Sequence, residues 1–212
     1  MSGSPIESLD LAALLCSRVC HDLISPVGAI VNGLEVLEEA KDEETKTFAL
    51  DLIKKSAMQA SARLQFCRLA FGAAGSSGAQ IDLGDAEKVA RGLLEDDKIK
   101  IAWNLPRELL PKNRVKLVLN MLMIGVGAIP RGGTLTLDPV PGEQGSSSGF
   151  RIAAAGLNAR LTQGVSDLLS GTQSQNVDAH AIQPFYTGIL ARDCGLTLTA
   201  GVEGEVVAVT AR

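Results

Sequence analysis

Two heptad series separated by a charged break constrain this chain more than any other feature. Ala13, Cys16, Cys20, Leu23, Val27, Ile30, Leu34 and Leu37 follow alternating three- and four-residue steps, and Leu50, Ile53, Ala57, Ala60, Leu64, Cys67 and Phe71 repeat the pattern. That spacing lines apolar side chains along one seam of an α-helix, as in a helical bundle. Between the series lies Glu39-Ala40-Lys41-Asp42-Glu43-Glu44, so the expectation is two helices of about thirty residues in an antiparallel hairpin. A hairpin cannot enclose its own apolar stripes. The simplest cover is a second copy, giving a homodimeric four-helix bundle, with packing against the rest of the chain as the alternative.

The seam leaves one of the two histidines outside. Counting Ala13 as position a puts His21 at b and Asp22 at c, with Ser17, Arg18, Ile24 and Ser25 one turn away and Gly28 two turns on. Mostly small neighbours leave room for another protein. With the turn near Lys41 and Asp42, antiparallel pairing sets His21 beside Ala62, with Met58, Ser61 and Gln65 within a turn. Small Ser61 and Ala62 are expected to leave a shallow groove, and Arg18 and Arg63 to meet an acidic partner, so the expected partner surface is Ser17, Arg18, Ile24, Ser25, Ser61, Ala62, Arg63 and Gln65. Pro26 lacks an N–H, removes the bond that the Asp22 carbonyl would accept, and is expected to bend the helix. A helical histidine is ordinarily just a solvated residue. What sets His21 apart is the adjacent acid, the proline five residues on and the outward slot: neutral imidazole is a nucleophile toward phosphorus, and Asp22 can orient the ring or take its proton.

The length of 212 residues allows two small domains, and a net charge of −4 gives no nucleic-acid footprint. Met1-Ser2-Gly3-Ser4-Pro5 has neither a basic nor an apolar leader pattern, and no stretch is expected to reach membrane-span length, so the expected location is the cytoplasm with no membrane contact. Cys16, Cys20 and Cys67 fall on seam positions and Cys194 far downstream, which suits small apolar residues better than disulfides. A metal site from Cys16, Cys20 and His21 is disfavoured, since the heptad sends the cysteines inward and the histidine outward. Gly72 to Ala79 reads as a linker, which divides the chain into a helical hairpin over 1–75 and a second domain over 80–212.

In the second domain the patterns predict helices near 85–95, 112–129, 159–169 and 177–193. Strands are predicted near 98–103, 134–137, 150–154, 196–200 and 206–210, with a Pro/Gly/Ser loop over 138–149. The fold class is therefore α+β: the helical hairpin, then an α/β sandwich with helices on one face of a mostly antiparallel sheet.

His21-Asp22-Leu23-Ile24-Ser25-Pro26-Val27 resembles the H-box of two-component histidine kinases and their phosphotransfer relatives at every defined position. The element order behind it resembles the histidine kinase ATP-binding domain, the Bergerat-type fold, with Leu117 to Gly125 and Pro130-Arg131-Gly132-Gly133 like the N-box helix and the strand entry after it. Three departures stand out. Ile124 occupies the place of the magnesium-binding Asn, and a hydrocarbon offers no oxygen to a hard cation. In Ala154-Ala155-Gly156-Leu157-Asn158, Ala154 replaces the adenine-binding Asp and Asn158 the second Gly of the Asp-x-Gly-x-Gly motif, and near Tyr186-Thr187-Gly188 one glycine remains of the phosphate-binding run. Gln175-Asn176-Val177-Asp178-Ala179-His180 falls where the ATP lid would lie.

An intact H-box hairpin joined to a decayed ATPase domain resembles the dimeric histidine phosphotransferases of alphaproteobacterial cell-cycle phosphorelays. The resemblance implies that His21 carries a phosphoryl group from the receiver domain of a hybrid histidine kinase to response regulators. It also implies no cofactor on this chain: no ATP, and magnesium supplied by the partner receiver. An ATP-dependent histidine kinase core and a non-catalytic dimeric scaffold are the other readings.

Overall fold

The computed structural model describes residues 6–72, 79–142, 147–170, 177–178 and 181–212. Helix α1 spans Ser8–Glu39 and α2 spans Glu43–Ala70. They separate at Asp42, whose carboxylate caps α2 by accepting from the Thr45 backbone N–H at 2.8 Å and from its hydroxyl at 2.9 Å. Small residues let the helices close: Gly33 is buried in α1 and Ala49, Ser56 and Ala60 in α2. A Cβ at Gly33 would stand 2.7 Å from Ile53 Cγ1. Helix α1 runs unbroken through Pro26, which is buried.

The predicted seam splits in two. Ala13, Cys20, Val27 and Leu34, each seven residues apart, are exposed, and so are Leu50, Ala57 and Leu64 at the same interval. Leu23, Ile30 and Leu37, with Ile53, Ala60 and Cys67, are buried or half-buried. Cys16 and Cys20 were expected to point inward, yet both are exposed on the single chain. The reason is geometric: a bundle helix has two neighbours, and one hairpin supplies only one of them. Gly33 lies between Ala49 and Ile53, a register that sets Leu34 about level with Leu50, Val27 with Ala57, Cys20 with Leu64 and His21 with Arg63.

Helix α1 is also longer and more apolar than the sequence reading expects. Its 32 residues include an 18-residue window of mean hydropathy 1.4, long and apolar enough by length and composition to cross a membrane. The apolar side chains of the exposed stripe contribute to that value.

The rest of the chain runs β1 (Gln80–Asp82), α3 (Leu83–Leu94), β2 (Ile99–Trp103), β3 (Leu109–Pro111), α4 (Lys112–Ala128), β4 (Gly133–Pro141), β5 (Ser147–Ala155), α5 (Val165–Ser170), α6 (Ile182–Asp193), β6 (Leu198–Glu203) and β7 (Val206–Ala211). Strands β1 and β3 pair antiparallel by themselves, and the main sheet has the order β2-β4-β5-β7-β6. Only β2 and β4 are parallel, because α4 carries the chain across between them. Leu135, Leu137, Ile152, Ala154, Val207 and Val209 are fully buried in alternation along their strands, with α4 packed over them. At Gly125 the helix lies so close that a Cβ would meet Leu135 at 2.9 Å and Ile152 at 3.1 Å.

Several predicted boundaries change. The expected loop over 138–149 is largely strand, since β4 and β5 stay paired out to Pro141 and Ser147. The helix expected from 159 begins only at Val165, after a turn. The helix expected from 177 begins at Ile182, where Asp178 accepts from the Ala181 N–H at 2.8 Å. Residues 73–78 of the expected linker, 171–176 and His180 lie outside the described residues.

One core joins hairpin and sheet. Phe66, Leu69 and Ala70 of α2 are buried in the same cluster as α4, and Leu11 and Leu15 of α1 pack against it. Fully buried Asn120 donates through Nδ2 to the Ala70 carbonyl at 3.0 Å and the Lys116 carbonyl at 2.9 Å. Gln183 Nε2 donates to the Asn120 carbonyl at 2.8 Å.

Candidate functional site

His21 sits on the polar flank of α1, its side chain 66% exposed. Its Nδ1 lies 3.3 Å from Asp22 Oδ1, while Asp22 Oδ2 accepts from Arg18 Nε at 3.0 Å. An ionised carboxylate only accepts, so this contact is a hydrogen bond in the tautomer with the proton on Nδ1, which leaves the lone pair on Nε2. Asp22 and Arg18 are much less exposed, at 16% and 22%. Across the hairpin, burial and then the Asp22 charge push the Cys67 thiol up, with Arg18 and Arg63 opposing. Beside His21 on α1 stand the Asp22 carboxylate and, one turn back, the Arg18 guanidinium, with Arg63 about level on α2. Arg63 Nε is buried with no hydrogen-bond partner among the described residues.

The other expected partner residues divide between two surfaces. Ser17, Ile24 and Ser25 are exposed on α1, as His21 is. Ser61, Ala62 and Gln65 instead line, with Met58 and Arg68, a cavity of about 870 Å³ between α2 and α3, closed on the far side by Ile81, Lys88, Val89 and Leu93. No α1 residue lines it. Gln65 spends its amide on the Ser61 hydroxyl at 3.1 Å. The sequence could not show this groove, because it depends on where α3 packs.

The positions that resemble nucleotide ligands are built as core. Ala154 is fully buried and Ile124 nearly so. Asn120 is consumed in the knot to Ala70 and Gln183. Asn158 keeps a left-handed φ of 60°, the backbone state glycine favours and Asn tolerates. Gly188 is a helix-packing glycine: a Cβ there would stand 2.3 Å from the Leu169 carbonyl. Its neighbour Tyr186 rests on Phe71, ring centroids 5.8 Å apart, and burial pushes its hydroxyl up to about 12. Among the described residues no group of three His, Cys, Asp or Glu side chains is placed to hold a metal ion, and all four cysteines are free thiols.

The profile of the histidine phosphotransferase C-terminal domain matches residues 83–206. The protein phosphotransferase ChpT of Brucella abortus (strain 2308) is 49% identical over 209 residues, 97% of each chain. This chain belongs to the histidine phosphotransferase family. A solved structure of a bacterial phosphotransferase is 47% identical and superposes with a TM-score of 0.85, covering 99% of this chain and all of that one. The hairpin and the sheet are thus one family architecture, and the activity is protein phosphotransfer. Within a histidine phosphotransferase the chemistry needs an accessible imidazole with a defined tautomer. His21 is accessible, and its Nδ1 edge faces the Asp22 carboxylate.

Proposed function

We propose that His21 is the phosphoryl carrier of a two-component phosphorelay. It takes the group from the aspartyl phosphate of one receiver domain and passes it to the aspartate of another. The observation that carries this reading is the pairing of the Nδ1 edge of His21 with Asp22 on an exposed helix face. Attack by the Nε2 lone pair forms the N–P bond as the P–O bond to the donor carboxylate breaks. The ring then bears the positive charge that Asp22 faces, and the return step reverses each change. The receiver supplies magnesium and its own acidic pocket. Exposed Ser17, Ile24 and Ser25 form the approach to His21.

The assembly we propose is a homodimer through the exposed stripe, because Leu34 with Leu50, Val27 with Ala57 and Cys20 with Leu64 make three apolar layers on one hairpin, exposed among the described residues. The stripe also supplies a use for the apolar face of α1 in the cytoplasm, where we place the protein. A hybrid histidine kinase is the proposed donor and cell-cycle response regulators the acceptors, as the family resemblance implies. The kinase reading is disfavoured by Ile124 and Ala154, which present hydrocarbon where a nucleotide and its metal need polar atoms.

Two incubations of the purified chain test the proposal: one with a phosphorylated receiver domain, one with labelled ATP and magnesium. Label is expected on the chain from the receiver only, and His21→Ala abolishes it with the helical content unchanged. Label retained in His21→Ala refutes the carrier assignment, and label from ATP revives the kinase reading.

A further inference from the structure

Arg18 was expected to face a docking partner, yet its Nε is spent within the chain. It donates at 3.0 Å to Asp22 Oδ2, and the other oxygen of the same carboxylate meets His21 Nδ1. A short carboxylate on a helix surface has several rotamers open to it, and only one places Oδ1 on the imidazole edge. A partner on the opposite oxygen selects that rotamer. We propose that Arg18 is a positioning residue for phosphoryl transfer, acting through Asp22 to hold His21 in the tautomer that leaves the lone pair on Nε2. The inference rests on the reading of His21 as the carrier and adds to it a residue that touches neither imidazole nor phosphorus.

In the reacting step the Nε2 electron pair forms the bond to phosphorus, and the donor's bond to phosphorus breaks with its pair leaving on the departing group. The ring keeps its Nδ1 proton and gains the positive charge. A carboxylate fixed at the Nδ1 edge meets that charge as it forms, without first having to rotate into place. With Arg18 removed, Asp22 swings between solvent and ring, and both ring edges are sampled.

A small donor separates this role from docking, because phosphoramidate has no protein surface to recognise. Phosphorylation of the full chain by phosphoramidate is followed by ³¹P NMR for wild type, Arg18→Ala, Asp22→Asn and the double variant. The ¹⁵N spectrum of His21 is recorded for each. Arg18→Ala is expected to slow labelling about fivefold, the scale of one charge-assisted hydrogen bond, and to shift the spectrum from one tautomer to a mixture. Added to Asp22→Asn, it is expected to change neither quantity. Wild-type labelling of Arg18→Ala by phosphoramidate overturns the proposal, and if only transfer from a phosphorylated receiver then slows, Arg18 is a docking residue instead. Equal slowing in both backgrounds also overturns it, since Arg18 would then act without Asp22. His21→Ala labelled at the wild-type rate overturns the carrier reading itself.

Discussion

Charging the middle of the exposed stripe tests the assembly most directly, and Val27→Glu is the substitution of choice because glutamate keeps helix propensity. Val27 is 49% exposed on the single chain, so a covering partner removes about half of its side-chain surface from water. At about 1.5–3 kcal/mol for burying a whole aliphatic side chain, the lost transfer is about 1 kcal/mol per protomer. Forcing a carboxylate into an apolar layer costs about 1–2 kcal/mol more if it escapes toward the rim, and several if it cannot. A two-fold dimer carries the change twice, which makes about 4–6 kcal/mol, or roughly a thousandfold or more in the dimer dissociation constant. Sedimentation equilibrium across a concentration series reads that constant, with far-UV circular dichroism as a control for helix content. Asn32→Glu, on an exposed part of α1 outside the stripe, is expected to leave association unchanged. Val27→Glu associating as tightly as wild type, or a wild-type chain that is monomeric at tens of micromolar, refutes the dimer face.

Three further outcomes are expected. Asn120→Ala removes two buried donor contacts and is expected to cost about 2–3 kcal/mol in urea unfolding; a loss under about 0.5 kcal/mol would mean that water replaces the amide. Gly33→Val forces a side chain into Ile53 and is expected to destabilise by about 1–3 kcal/mol, read from the melting temperature, and an unchanged melt would show that the helices part freely there. The Thr45 contacts hold the Asp42 carboxyl below the usual carboxylate range. Its capping contribution is therefore present above that range and lost as pH falls through the folded value. Asp42→Ala should accordingly melt earlier than wild type near neutrality but alongside it in acid, and a gap that persists in acid contradicts the cap.

What could be read from the sequence was whatever periodicity carries. The heptads located both helices, although their N-terminal ends lie five and seven residues before Ala13 and Leu50, and the same count that put His21 outward wrongly put Cys16 and Cys20 inward. The strand ends did not follow, because β4 and β5 are extended by pairing with each other, a fact of the partner strand that Pro141 and Ser147 do not announce. The β1–β3 pair was invisible, since three residues are too few to show a period. In the site, Arg18 and Asp22 stand at the i,i+4 spacing that signals an ion pair, yet the sequence alone left Arg18 free to face a partner instead. Ser61 and Gln65 are off the seam, as expected, but the surface they join is decided by α3.

The C-terminal core anchors one end of the hairpin. Leu11 and Leu15 at the start of α1, and Phe66, Leu69 and Ala70 at the end of α2, are held by the same core, while the opposite end is a charged turn with its acids exposed. An isolated antiparallel pair frays from both ends. Here one end is tied by apolar burial and by the Asn120 knot, and His21 lies six residues beyond Leu15, within two turns of the tied end. Ile124 of α4 and Ala154 of β5 put hydrocarbon into that same core. If His21 carries the phosphoryl group as proposed, that anchoring holds the helix beneath the imidazole in place before a partner arrives.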